Sequence, residues 1–103
     1  IPSSANQEDH VSMGTTAARK ARLILDNAQK VLGIEAFAAY QALSFREGAT
    51  LGRGTKEAVA VIAQQVDPVD HDRVMYVEMN KFDAMVKTEA LIKAVESAIG
   101  ELA

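Results

Sequence analysis

"VLGIEAFAAYQALSF", Val31 to Phe45, holds eleven apolar residues in fifteen, and Glu35 is its only charge. A helix that is apolar on every side has to be covered on every side. The residues before it extend the same helix with a different texture. Ala18, Ala21, Leu25, Ala28 and Leu32 recur at spacings of three and four, which lines one face. Arg19, Arg22, Asp26 and Lys30 form a polar stripe opposite, with Arg22 and Asp26 one turn apart and able to pair. Ser12 or Asp9 offers an N-cap. The spacing predicts one helix over 12–46, about 50 Å long at roughly 1.5 Å per residue. A compact globule of this chain length, with a gyration radius of roughly 13 Å, is only about 34 Å across. The helix therefore overshoots its own domain. It is expected to sit in a central bundle completed by further chain or by other subunits, where its many alanines allow close approach.

Shorter helices follow. "REGATLGRG", Arg46 to Gly54, carries three glycines and ends the long helix in a loop. A second helix is predicted over 55–66, with Thr55 as cap, an apolar face at Ala58, Val59, Ile62, Ala63 and Val66, and Asp67-Pro68 as its stop. "DPVDHD", Asp67 to Asp72, reads as a turn. Met75, Met79, Phe82, Met85 and Val86 fit a third helix over 74–86. Thr88 is the expected cap of a fourth over 88–99, which Gly100 ends. No strand alternation and no internal repeat stand out. The fold class is all-α: one long central-bundle helix followed by about three shorter ones.

Composition narrows the function. Eleven Lys and Arg against fourteen Asp and Glu give a net charge of -3, which argues against nucleic acid or an anionic membrane as partner. The chain has no cysteine, so neither disulfides nor thiolate chemistry arise. No apolar run approaches the roughly 20 residues of a membrane span, and the expected location is cytoplasmic. The first residue is Ile1 rather than Met, which raises the expectation of a longer parent polypeptide.

Three clusters invite a chemical reading and carry little. "GRGTK", Gly52 to Lys56, lacks the spacing of a phosphate loop and has no strand before it, so a glycine turn leading into a helix accounts for it. "DPVDHD" has acids and His71 but not the alternating oxygen ligands and glycine of a calcium loop. The methionines at 75, 79 and 85 suit a core.

The opening segment is different. "SSANQEDHVSMG", Ser3 to Gly14, sets Gln7, Glu8, Asp9 and His10 side by side ahead of the long helix. The positive end of a helix dipole holds a nearby acid as a carboxylate, and Asp9 can cap the backbone. A solvated loop explains these groups equally well when taken alone. If the helix lies inside a bundle, however, its leading end opens onto a protein-lined space where a carboxylate is partly desolvated and useful.

"SSANQEDHVSMGTTAARKARLILDNAQKVLGIEAFAAYQAL", Ser3 to Leu43, closely resembles the C-terminal part of the aromatic amino-acid lyase family, in its histidine ammonia-lyase branch. Weaker likeness continues through "LGRGTKEA" and "DHDRVMY". The resemblance implies an all-helical homotetramer with a central bundle and active sites shared between subunits. It implies elimination of ammonia from L-histidine to give trans-urocanate. It also implies a methylidene-imidazolone electrophile made from an internal Ala-Ser-Gly, and a tyrosine base in a mobile loop. No Ala-Ser-Gly occurs in these 103 residues, so the fragment alone is expected to be inactive.

Residue by residue, the resemblance gives Glu8 as a catalytic and substrate-binding acid, and Gln7 as a neighbouring substrate contact. Asp9, His10 and Ser12 become scaffolding of the loop. Phenylalanine and tyrosine lyases carry Gln in place of that acid. A carboxylate suits an imidazole, which donates a hydrogen bond or accepts a proton, and a phenyl ring does neither. Two alternatives stay open: a fragment of a phenylalanine or tyrosine ammonia-lyase or aminomutase, and a non-catalytic helical association module.

Overall fold

A computed structural model describes residues 12–102 as four helices: α1 (Gly14–Ser44), α2 (Arg53–Ala63), α3 (Tyr76–Lys87) and α4 (Ala90–Ile99). No strand occurs among the described residues, and the first helix is the long one, as the sequence predicts. α1 packs along α3, α2 packs along α4, and α3 touches α4 to join the two pairs.

The core sits where the pairs meet. Phe37 and Tyr40 of α1, Ile62 of α2, Val66 just beyond it, and Phe82 and Met85 of α3 are its buried members. Phe82 is wholly buried at the centre. Its ring stacks on Phe37, with centroids 5.1 Å apart and planes 18° apart, and meets Tyr40 at 6.4 Å. Such aromatic pairs add about 0.5–1.5 kcal/mol each beyond the area they bury. Two glycines let the helices close up. A Cβ on Gly33 of α1 would stand 3.1 Å from the backbone nitrogen of Asp83, and one on Gly54 of α2 would stand 3.0 Å from Val95 Cγ1 of α4.

The structure moves several expected helix starts and stops. Ser12 is not the cap of α1: Met13 holds that position, with no side-chain hydrogen bond. α2 begins at Arg53 behind an extended Gly52, which puts Thr55 inside the first turn rather than at the cap. The cause lies across the helix pair, because Arg53 Nη2 donates to the carbonyl of Ala98 at the end of α4, 2.7 Å away. α2 also stops before Val66. Gln65 N–H and Val66 N–H both turn back to Ile62 O at 2.9 Å, closing the helix end, and the next carbonyls accept from side chains: Gln65 O from Lys81 Nζ at 2.9 Å, Val66 O from the Tyr40 hydroxyl at 2.9 Å, and Asp67 O from Arg73 Nη2 at 3.1 Å. Thr88 does not open α4. It ends α3, its hydroxyl donating back to Ala84 O at 2.9 Å. Glu89 makes the join in a left-handed conformation, φ 59°. Met75 caps α3 instead of lying within it. Gly100, at φ 90°, ends α4 as the sequence predicts.

The long apolar helix is covered on one side only by these residues. Gly33, Phe37 and Tyr40 are its buried positions, while Leu23, Ile24, Leu25 and Val31 are about 60% exposed. From Gly14 to Leu25 every residue is exposed.

Candidate active site

Gln7 and Glu8, with Asp9 and His10, lie outside the described residues. The structure does describe the helix end they lead into. α1 starts at Gly14 without a side-chain cap and without an acid in its first turn. The leading N–H groups of a helix have no intrahelical partner, and they carry the positive end of its dipole. Glu8 stands six residues ahead of Gly14, within a chain reach of about 20 Å. A carboxylate brought back to that end is favoured in its charged form.

The first three turns of α1 project beyond the packed part of the molecule. The exposed Arg22–Asp26 pair, 3.3 Å apart, is as predicted and adds at most a few tenths of a kcal/mol. The first side chain that ties α1 to the rest is Gln29, whose Nε2 donates to Asp83 Oδ1 at 2.9 Å. Gly14 is fifteen residues earlier, about 22 Å along the axis at roughly 1.5 Å per residue. The start of α1 is thus the tip of a rod, remote from this chain's own core.

The other clusters hold no competing site. His71 Nδ1 lies 2.7 Å from Asp70 Oδ1 on a turn where both side chains are about 80% exposed. No group of three metal-ligating side chains occurs among the described residues. Arg53 of "GRGTK" is engaged with Ala98 rather than turned to the helix start. Met85 is buried and Met75 packs against the core, but Met79, expected there too, is 38% exposed.

Two well-built polar contacts escape a reading of the sequence. Gln41 grips the 67–75 connection with both ends of its amide: its Nε2 donates to Val69 O and its Oε1 accepts from Val69 N–H, each at 2.7 Å. The Tyr40 hydroxyl donates to Val66 O, and burial, helped by the Asp67 charge, raises its pKa above the usual 10.0. Both join residues 26 to 28 apart in sequence, and no periodicity marks them. An apolar hollow of about 270 Å³ lies alongside Gln41, lined by Ile34, Phe37, Ala38, Val69 and Met75.

Residues 1–64 match the family model described as "Aromatic amino acid lyase", a span that holds the whole candidate segment and all of α1. The chain is 52% identical to the Histidine ammonia-lyase of Alkaliphilus metalliredigens over 99% of its own length and 20% of that protein's. It is 54% identical to the Histidine ammonia-lyase of Alkaliphilus oremlandii over 96% of its length and 20% of that protein's. A third relative, the Histidine ammonia-lyase of Clostridium tetani, is 52% identical with the same coverage as the second. The chain spans about a fifth of the length of these curated relatives. No solved structure gives a significant match. With more than half of its residues inside the family model and a long all-helical rod leading from the matched acidic segment, the chain belongs to the aromatic amino acid lyase family.

Proposed function

We propose that this chain is the C-terminal part of a histidine ammonia-lyase, which eliminates ammonia from L-histidine to give trans-urocanate, and that residues 1–11 form its active-site loop. The observation that carries the reading is the identity of about one half, over nearly the whole chain, with proteins named Histidine ammonia-lyase. The acid at position 8 supports it chemically. In the elimination a β-carbon gives up a proton, the Cα–N bond breaks and ammonia leaves, so the substrate must be held with its side chain in a fixed orientation. Glu8 accepts a hydrogen bond from the imidazole N–H, or pairs with the imidazolium, and Gln7 adds a neutral contact beside it. The positive end of the α1 dipole, which no side chain among the described residues caps, favours Glu8 as the carboxylate.

The methylidene-imidazolone of the family arises from Ala-Ser-Gly, and these 103 residues contain none. The group belongs, in our reading, to the rest of the parent enzyme, and nothing attributed to Glu8 or Gln7 depends on its geometry. In our reading the 103 residues alone are inactive, and the parent is a homotetramer in which neighbouring helices cover α1. No helix among the described residues is long and apolar enough to cross a membrane. The location we propose for the parent is the cytoplasm.

The test is turnover of L-histidine by the full-length protein carrying Glu8→Gln or Glu8→Ala. Loss of one charge-assisted hydrogen bond lowers kcat/KM about 10- to 100-fold. Unchanged kinetics removes Glu8 from the site. Parallel assays with phenylalanine and tyrosine decide the substrate, and exclusive use of either replaces histidine. Urocanate formed by the isolated chain overturns its predicted inactivity.

A further inference from the structure

Glu35 is the only charge in the apolar second half of α1, and the helix turns it away from the core. At about 100° per residue, Ala17, Lys20, Ile24, Val31, Glu35 and Ala38 fall within about 60° of one another, opposite the buried Gly33, Phe37 and Tyr40. All six are exposed, Ile24 at 59% and Val31 at 63%. The back of the longest helix thus carries two large apolar side chains, with a base on one side of them and an acid on the other.

Lys20 and Glu35 do not serve each other. They are fifteen residues apart, about 22 Å along the axis. Neither has an opposite charge three or four residues away in the sequence, and neither joins an ion pair among the described residues.

A reversed copy of the same face supplies what both lack. Lys20 and Glu35, Ile24 and Val31, and Ala17 and Ala38 are three pairs whose midpoints all fall between Asn27 and Ala28. About a two-fold axis, residue i of one copy meets residue j of the other, and j meets i. An axis beside Ala28 therefore sets Lys20 against Glu35 twice over and Ile24 against Val31 twice over, in one register. A parallel copy sets Glu35 against Glu35 and Lys20 against Lys20. Burial of the apolar side chains holds such a pair together, and the charges beside the seam choose its direction.

We infer that this face of α1 is where two copies of the chain pair, antiparallel about a two-fold axis beside Ala28, with Lys20 of each copy meeting Glu35 of the other. The inference rests on the homo-oligomer proposed above and gives the cover of α1 a partner, a direction and a register.

The experiment uses two forms of the full-length protein, Lys20→Cys and Glu35→Cys, co-expressed and treated with a short bis-maleimide, with the unaltered protein as background. Linked dimers form in the mixture, and only background from either variant alone. Linkage of Glu35→Cys to itself at the level of the mixture means a parallel pair. No linkage in the mixture means that other chain covers the face, and either result overturns the proposal. Charge reversal tests the same contact without cysteine. Glu35→Lys raises the dissociation constant of the assembly about 10- to 100-fold in a light-scattering concentration series, because like charges then meet at two places. Adding Lys20→Glu restores opposite charges and returns the constant toward the unaltered value. A double variant no tighter than Glu35→Lys alone overturns the pairing. Both positions are exposed, and circular dichroism checks that helix content is kept. Failure of the histidine-lyase reading shows separately, in the turnover assays with histidine, phenylalanine and tyrosine.

Discussion

Tyr40 joins burial, hydrogen bonding and titration in one side chain. Its ring lies in the core, 8% exposed, and its hydroxyl occupies the carbonyl of Val66. Tyr40→Phe leaves that carbonyl without its partner and is expected to cost about 1 kcal/mol, read from denaturant unfolding. The raised pKa gives the pH dependence. The folded state keeps the phenolic proton at a pH where the unfolded chain has released it, so stability is full below about pH 10 and falls as pH rises toward the higher folded value. Tyr40→Phe removes this contribution, and its unfolding midpoint is expected to decline less steeply above pH 10. At this scale the sequence disclosed hydrophobicity but not partnership. Nothing in "AAYQAL" tells that Tyr40 and Gln41 reach Val66 and Val69, because those bonds exist only after two distant segments have met. Glu8 is read the opposite way, from the residues beside it in the sequence, and it lies outside the described residues.

Helix interiors follow their apolar spacing, and helix ends follow tertiary partners. Of the face read from spacing, Ala58, Val59, Ile62, Ala63 and Val66, the three larger residues pack in the core, whereas Ala63 is exposed. Thr55 and Thr88 are good caps by type, yet neither caps. Arg53 reaching Ala98 and Thr88 reaching back to Ala84 decide those ends instead. The Glu89 join carries a strain that glycine relieves, since a left-handed non-glycine residue costs about 1–2 kcal/mol. Glu89→Gly is expected to stabilise the chain by about 1 kcal/mol and raise its melting temperature by about 4–8 °C in a circular dichroism scan. Glu89→Val, β-branched at the same φ, is expected to lower it.

The whole chain is extended for its length, with a gyration radius of 20.1 Å where a compact fold gives about 13 Å. The overshoot of the long helix was legible from its length, and its one-sided cover follows from having α3 and the 66–69 segment on a single face. Leu23, Ile24, Leu25, Val31 and Leu32, each more than half exposed, make an apolar surface that a monomer does not normally show. The isolated chain is expected to self-associate, giving a light-scattering mass above that of one chain that rises with concentration. Leu25→Glu with Val31→Glu is expected to return it toward the monomer, and a wild-type chain that stays monomeric at high concentration would refute the idea.

The bare leading turns of α1 have a thermodynamic corollary. A helix of about a dozen residues without side-on support is marginal in water, so in the assembly proposed above its winding and the arrival of its neighbours become one equilibrium, written in concentration as well as in temperature. Dilution, ahead of heat, is the agent expected to unravel this end.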